Sequence, residues 1–209
     1  MLDVHAPEHR IGGVKDFVVH LLTITAGLLI ALGLEAMVES MHHRHQRIEA
    51  EDTIRLEIRQ NRDKLVAMQT NTLKESESLD KALAFLEDLR SGKKDDPSGV
   101  KLGFNVNPLQ YAGWSTASET GALSYMDYDE AQRFGTAYRA QQMYENAVAQ
   151  ALGHYEVLET YVPKGTDPRD MKPQDIETAI PDLRKTEADL GSMYDWGRGT
   201  LKTYDEALK

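Results

Sequence analysis

The run FVVHLLTITAGLLIALGL, from Phe17 to Leu34, constrains this chain more than any other stretch. Its 18 residues include no Asp, Glu, Lys or Arg, and that length is the lower limit for a helix crossing a bilayer. At 1.5 Å per residue it spans roughly 27 Å, close to a thin hydrocarbon core. Residues 1–16 read as a polar tail with Pro7, the pair Gly12–Gly13, and Lys15 and Asp16 at the boundary. A cleaved signal peptide is the rival reading, with Ala31-Leu32-Gly33 as a small-x-small site. The helical pattern runs on through Glu35, Ala36 and Met37, which favours an uncleaved transmembrane helix over 17–36.

Orientation rests on the flanks. Arg10 and Lys15 precede the run and Arg44 and Arg47 follow it, so the positive-inside count is a tie. Lys15 adjoins one apolar edge while Glu35 and Glu39 border the other. The amino end is therefore expected in the cytoplasm and the body outside, which in a bacterium is the periplasm. Within the run, His20, Thr23, Gly27, Ala31 and Glu35 recur at spacings of three and four and share one helix face. Gly27 and Ala31 form a small-xxx-small step that lets a second helix approach closely. The alternative is a lone anchor with a slightly polar side whose ends snorkel.

Composition bounds the rest. The formal net charge is -10 over 209 residues, a poor match to a phosphate backbone, so no nucleic-acid partner is expected. The chain has no cysteine, which excludes thiolate zinc sites, iron–sulfur clusters, thiol nucleophiles and disulfides. Beyond the anchor, residues 37–91 carry good helix formers with no Gly or Pro. Ile58, Leu65, Thr72, Leu79 and Leu86 fall seven apart. Ile54, Met68, Ala82 and Leu89 fill the complementary positions, with Asn61 and Glu75 as polar gaps. This heptad-like seam either pairs subunits or folds back onto its own bundle, and the polar gaps favour the second. Gly92 follows as a helix stop.

Residues 92–209 form the body, with loops near 92–107 and 163–173. Thr116 with Glu119 and Asp127 with Glu130 are capping-box patterns that place two helix starts. A long helix is expected from about Tyr128 to Tyr161, burying Phe134, Tyr138, Val148, Leu152, Tyr155 and Val162. Pro173 opens a short helical turn, and Pro181 marks the first turn of the last helix. That helix is expected to bury Leu183, Leu190, Tyr194, Gly197, Leu201, Tyr204 and Leu208. No period-two strand pattern is present. The fold class expected is all-α: a single N-terminal transmembrane helix continuing into a long helix, then an antiparallel helical bundle.

Chemistry is sparse. Glu39, His42, His43 and His45 are the candidate metal ligands, since Glu-x-x-His on a helix is half of a di-iron carboxylate pattern. No second such pair occurs in the body helices, and neither metal nor cofactor is expected. His154 lacks a nucleophile or ligand partner at family spacing, so a structural role is expected of it rather than general-base work. All nine tyrosines follow residue 110, where helical spacing favours core positions. Trp114, Ser115 and Thr116, with Tyr138, form the most pocket-like patch for a ligand or a partner.

HLLTITAGLLIALGLEAMVE, followed by HHRHQ and RLEIRQNRDKL, resembles an uncharacterised family of bacterial single-pass inner-membrane proteins. WSTASETGALSYMDYDEA, with Tyr138 and Gln141 downstream, is similar to that family's second recurring block. The likeness covers about half the chain and implies location and architecture, not an activity. The function expected is non-catalytic: an accessory or scaffold subunit of a membrane complex or homo-oligomer, its partners the bilayer and other transmembrane helices. A periplasmic sensor-like bundle that holds a small ligand is the first alternative, and an enzyme the second.

Overall fold

The computed structural model describes residues 13–93, 96–100, 102–162 and 166–209. Most of the polar tail, with Arg10, and parts of both expected loops lie outside the described residues. Among those described there are four α-helices and no strand: α1 (Gly13–Arg90), α2 (Ala112–Glu119), α3 (Tyr128–Tyr161) and α4 (Pro173–Ala207). The chain divides into two compact units, Met1–Ile48 and Glu49–Lys209. The boundary falls inside α1, so residues 49–90 belong with the body rather than to a separate juxtamembrane section.

In the first unit, α1 presents its apolar side chains outward. An 18-residue window reaches a mean hydropathy of 2.3 with none of it buried. Leu29 and Ile30 are about two-thirds exposed, at 64% and 65%. By length and composition this helix can cross a membrane.

In the second unit the heptad seam turns inward. Ile58, Leu65, Thr72, Leu79 and Leu86 are all buried, together with Ile54, Met68 and Ala82, so the seam serves its own bundle. α1 ends in a Schellman turn: Lys93 N–H donates to Asp88 O and Gly92 N–H to Leu89 O, with Gly92 at φ +88. That left-handed conformation is the one glycine adopts without strain.

Hydrogen bonds fix the helix directions. α1 and α3 pair in the same sense, through Glu57 with Tyr138 at 2.5 Å and Asn61 with Gln141 at 3.1 Å. α4 runs against both: Arg62 meets Asp205 at 2.6 Å, Arg184 meets Glu87 at 2.8 Å, and Gln150 meets Asp189 at 2.5 Å. A parallel pair needs a long return, and the extended segment after α1 supplies it. The strap descends along α1, with Asn105 N–H on Glu75, Lys64 on the Pro108 carbonyl and Gln110 on Asn61. Tyr155 clamps it partway, accepting from Gly103 N–H at 2.6 Å and donating to Gly103 O at 3.1 Å.

Several local expectations need correction. α2 begins at Ala112, so Thr116 lies inside it and caps nothing. Its N-terminus is capped instead by a side chain of α1. Asp127 is the N-cap of α3 and accepts from Asp129 and Glu130 N–H, while Glu130 pairs with Arg55 rather than closing the box. Pro173 sits in the first turn of α4, and Pro181 lies within that helix. The missing Pro181 N–H costs one helical bond, outweighed here by Ile176, Ala179, Ile180 and Leu183, all buried. Leu152 is 37% exposed, and Tyr194, Leu201 and Leu208 are only half-buried. The buried faces follow 3.6 residues per turn and drift off the seven-residue spacing.

Gly197 has a specific reason to lack a side chain. A Cβ there would lie 1.7 Å from Gln69 Nε2 and 3.3 Å from the Tyr144 ring. Both amide atoms of Gln69 and the Tyr144 hydroxyl are buried without a hydrogen-bond partner. Gly197→Ala should cost about 1–3 kcal/mol through overpacking. In a Gln69→Ala background the clash disappears, and alanine's helix propensity, worth about 0.8–1 kcal/mol over glycine, should make the same change neutral or stabilising. Urea midpoints of the four proteins in this cycle check the reversal. A Gly197→Ala cost that is unchanged without Gln69 would show that the contact is not the cause.

Candidate functional site

Glu57 is 6% exposed on α1, an unusual depth for a carboxylate, and it is fully engaged. It accepts from Gly113 N–H at 2.8 Å and from the Tyr138 hydroxyl at 2.5 Å. Gly113 stands at the start of α2, where backbone N–H groups have no intrahelical partner and attract negative charge. One turn further along α1, Asn61 is completely buried. Its amide donates to Gln110 O at 2.8 Å and accepts from Gln110 N–H at 2.8 Å. Gln141 also donates to Gln110 O, at 3.1 Å, and accepts from Asn61 and from the Tyr204 hydroxyl. The backbone N–H and C=O of one strap residue, Gln110, are thus held by α1 and α3, and through Gln141 by α4.

Of the sequence-derived patch, the structure brings Trp114 and Tyr138 together. Their rings stack at 5.1 Å, and Tyr111 lies 5.8 Å from Tyr138. A Cβ on Gly135 would lie 3.5 Å from the Trp114 ring, so the indole lies close against α3. Ser115 and Thr116 are exposed. The Trp114–Tyr138 contact is therefore a packed aromatic stack. Burial is the leading reason that the Tyr138 phenol is raised above its ordinary value, with the bond to Glu57 second. Tyr111 is raised chiefly by burial, and then by donating to Glu145 at 2.9 Å. These groups satisfy one another and hold α2 and the strap on the bundle.

Sequence reading missed Glu57 and the role of Asn61. It also missed Asp189, a buried α4 carboxylate that bonds His154 Nδ1 and accepts from Gln150 at 2.5 Å. A histidine oriented by a carboxylate is two parts of a nucleophile-activating triad. The contact ties α3 to α4.

The remaining candidates lie in the first unit. His20, Thr23, Gly27, Ala31 and Glu35 are exposed. Thr23 returns its hydroxyl to Val19 O at 2.9 Å, and a Cβ on Gly27 would meet nothing within 4 Å. Glu39 lies 4.0 Å from His43, and the His42 and His43 ring centroids are 6.3 Å apart. Among the described residues no three His, Asp or Glu side chains are grouped to hold a metal ion. Compared with known proteins, the chain matches no family model, no curated protein and no solved structure.

Proposed function

We propose that the chain is a single-pass membrane protein that works without catalysis, as an accessory or scaffold subunit docked on a membrane complex or on a second copy of itself. The observation that carries this reading is the apolar helix of the first unit, unburied throughout its most hydrophobic window. Fully exposing a large aliphatic side chain to water costs about 1.5–3 kcal/mol, so such a surface calls for lipid or protein around it. The small-residue step at Gly27 and Ala31 supports helix–helix contact. The resemblance to bacterial single-pass proteins supports an inner-membrane location, and the flanking charges support a body in the periplasm.

Carbonate-washed membranes are expected to retain the chain. Release of a body lacking residues 1–33 would instead establish a cleaved leader. Gly27→Leu should weaken association about 2–30-fold, the equivalent of about 0.5–2 kcal/mol. Leu22→Ala, on the other face, should change it less. Because Gly27 faces open space, its substitution disturbs no intrachain contact, and an unchanged detergent-solubilised mass and partner set would end the docking reading. A fluorescent reporter that matures only in the cytoplasm, fused after Lys209, should stay dark. A bright fusion would reverse the topology.

A further inference from the structure

Glu35 lies within the apolar stretch of α1 rather than past its end. Ala36, Met37 and Val38 follow it before the next carboxylate, Glu39. Met37 and Val38 are exposed apolar side chains, like those before them. From Phe17 to Val38 the helix rises roughly 33 Å, against roughly 30 Å of hydrocarbon. Glu35 therefore sits about one turn inside the membrane surface. An ionisable side chain at such a depth is costly, and it is normally turned towards protein and paired.

The chain supplies no cation there. Between Phe17 and Met41 it has no Lys or Arg. Lys15 and Arg44 stand roughly 30 Å and roughly 14 Å away along the helix axis, and His42 roughly 10 Å. Glu35 follows Ala31 by four residues, on the face of Gly27, so a helix packed closely at Gly27 and Ala31 also reaches the carboxylate. A second copy inserted in the same sense would set Glu35 against its own image. Two like charges repel more strongly in that medium than in water, and the second copy brings no Lys or Arg within a turn of them.

We propose that this face is covered by a heterologous transmembrane helix that carries a lysine or arginine at the depth of Glu35. Its cation pairs with the carboxylate, and its backbone lies against Gly27 and Ala31. The inference rests on the single-pass reading above and decides between its two docking partners, for a membrane complex and against a second copy.

Full-length chain in neutral-lipid bilayers tests this with two matched probes, leucine-based spanning helices with a central Gly-xxx-Ala step. One carries lysine a turn inside each end, the other glutamine at the same places. Read by energy transfer, the lysine helix should bind about five-fold more tightly, the upper worth of an exposed ion pair. Glu35→Gln should bring the two affinities together. Glu35→Lys should reverse the preference, towards a helix with glutamate in place of lysine. Because the chain has no cysteine, single thiols read self-pairing. Oxidation of Ala31→Cys should give no more cross-linked dimer than Leu29→Cys, which lies on the opposite face at nearly the same depth. Equal affinity for the two probes, a lysine preference that survives Glu35→Gln, or a dimer through Ala31→Cys well above the Leu29→Cys level would each overturn the proposal. Carbonate washing of the same bilayers keeps the two readings apart. A chain that washes out fails as a membrane protein, and the proposal fails with it; one that stays and shows no lysine preference fails only here.

Discussion

Glu57→Ala is expected to lower the stability of the body by about 3 kcal/mol. Two donors, Gly113 N–H and the Tyr138 hydroxyl, would lose their acceptor, and each buried orphan costs about 1–3 kcal/mol. Relief from burying a carboxylate offsets part of that sum. For a domain of this size about 1 kcal/mol moves the melting point by roughly 2–4 °C, so a fall of about 6–12 °C should follow. Glu57→Gln keeps one acceptor oxygen but turns an NH2 towards the other donor, and should fall between alanine and the native residue. The damage should also be local at first. Released from its cap, α2 should expose Trp114 to quenchers before the bundle melts. A melting point within a degree or two of the native value would show that the α2 cap contributes little.

The same residue shows where the sequence was legible and where it was not. Short-range signals read well. Gly92 does end α1, Asp127 does cap α3, and the seven-residue seam of α1 is buried. These depend on neighbours within a turn or two, or on a periodicity that only one packed face can satisfy. Glu57 looks like any solvated helix charge, because its partners lie 56 and 81 residues away. Asn61 read as a gap in the seam, yet it is completely buried and holds the strap's backbone. Its meaning depends on Gln110 arriving there, which depends on α1 and α3 being parallel. Thr116–Glu119 matched a capping motif by composition alone, while the true cap came from another helix. In the candidate patch, the stacking of Trp114 on Tyr138 could be suspected from their character but not placed, since the pairing crosses from α2 to α3.

Alkaline titration is expected to unfold the body cooperatively between about pH 10 and 12. Tyr138, Tyr144, Tyr155 and Tyr204 are at most 3% exposed. Burial is the leading cause that raises each phenol above its ordinary value, and Tyr155 is pushed up to about 12. In the unfolded chain a tyrosine ionises near pH 10. Below that pH both states keep the phenolic protons, and the stability of the neutral core is fully present. As pH rises through the interval the unfolded chain releases protons that the folded one retains, so unfolding is increasingly favoured. Each unit of separation is worth about 1.4 kcal/mol per group. Several such groups together match the roughly 5–15 kcal/mol by which a domain is stable. Tyrosinate absorbance from the buried phenols should therefore rise together with loss of the near-ultraviolet dichroism of the packed rings. Tyr155→Phe loses the clamp on Gly103 and should be less stable at neutral pH. Its stability should then fall with pH by up to one proton less than in the native chain. Complete ionisation of the tyrosines with the dichroism intact would mean that these phenols reach water without unfolding, and that the polar core is open rather than packed.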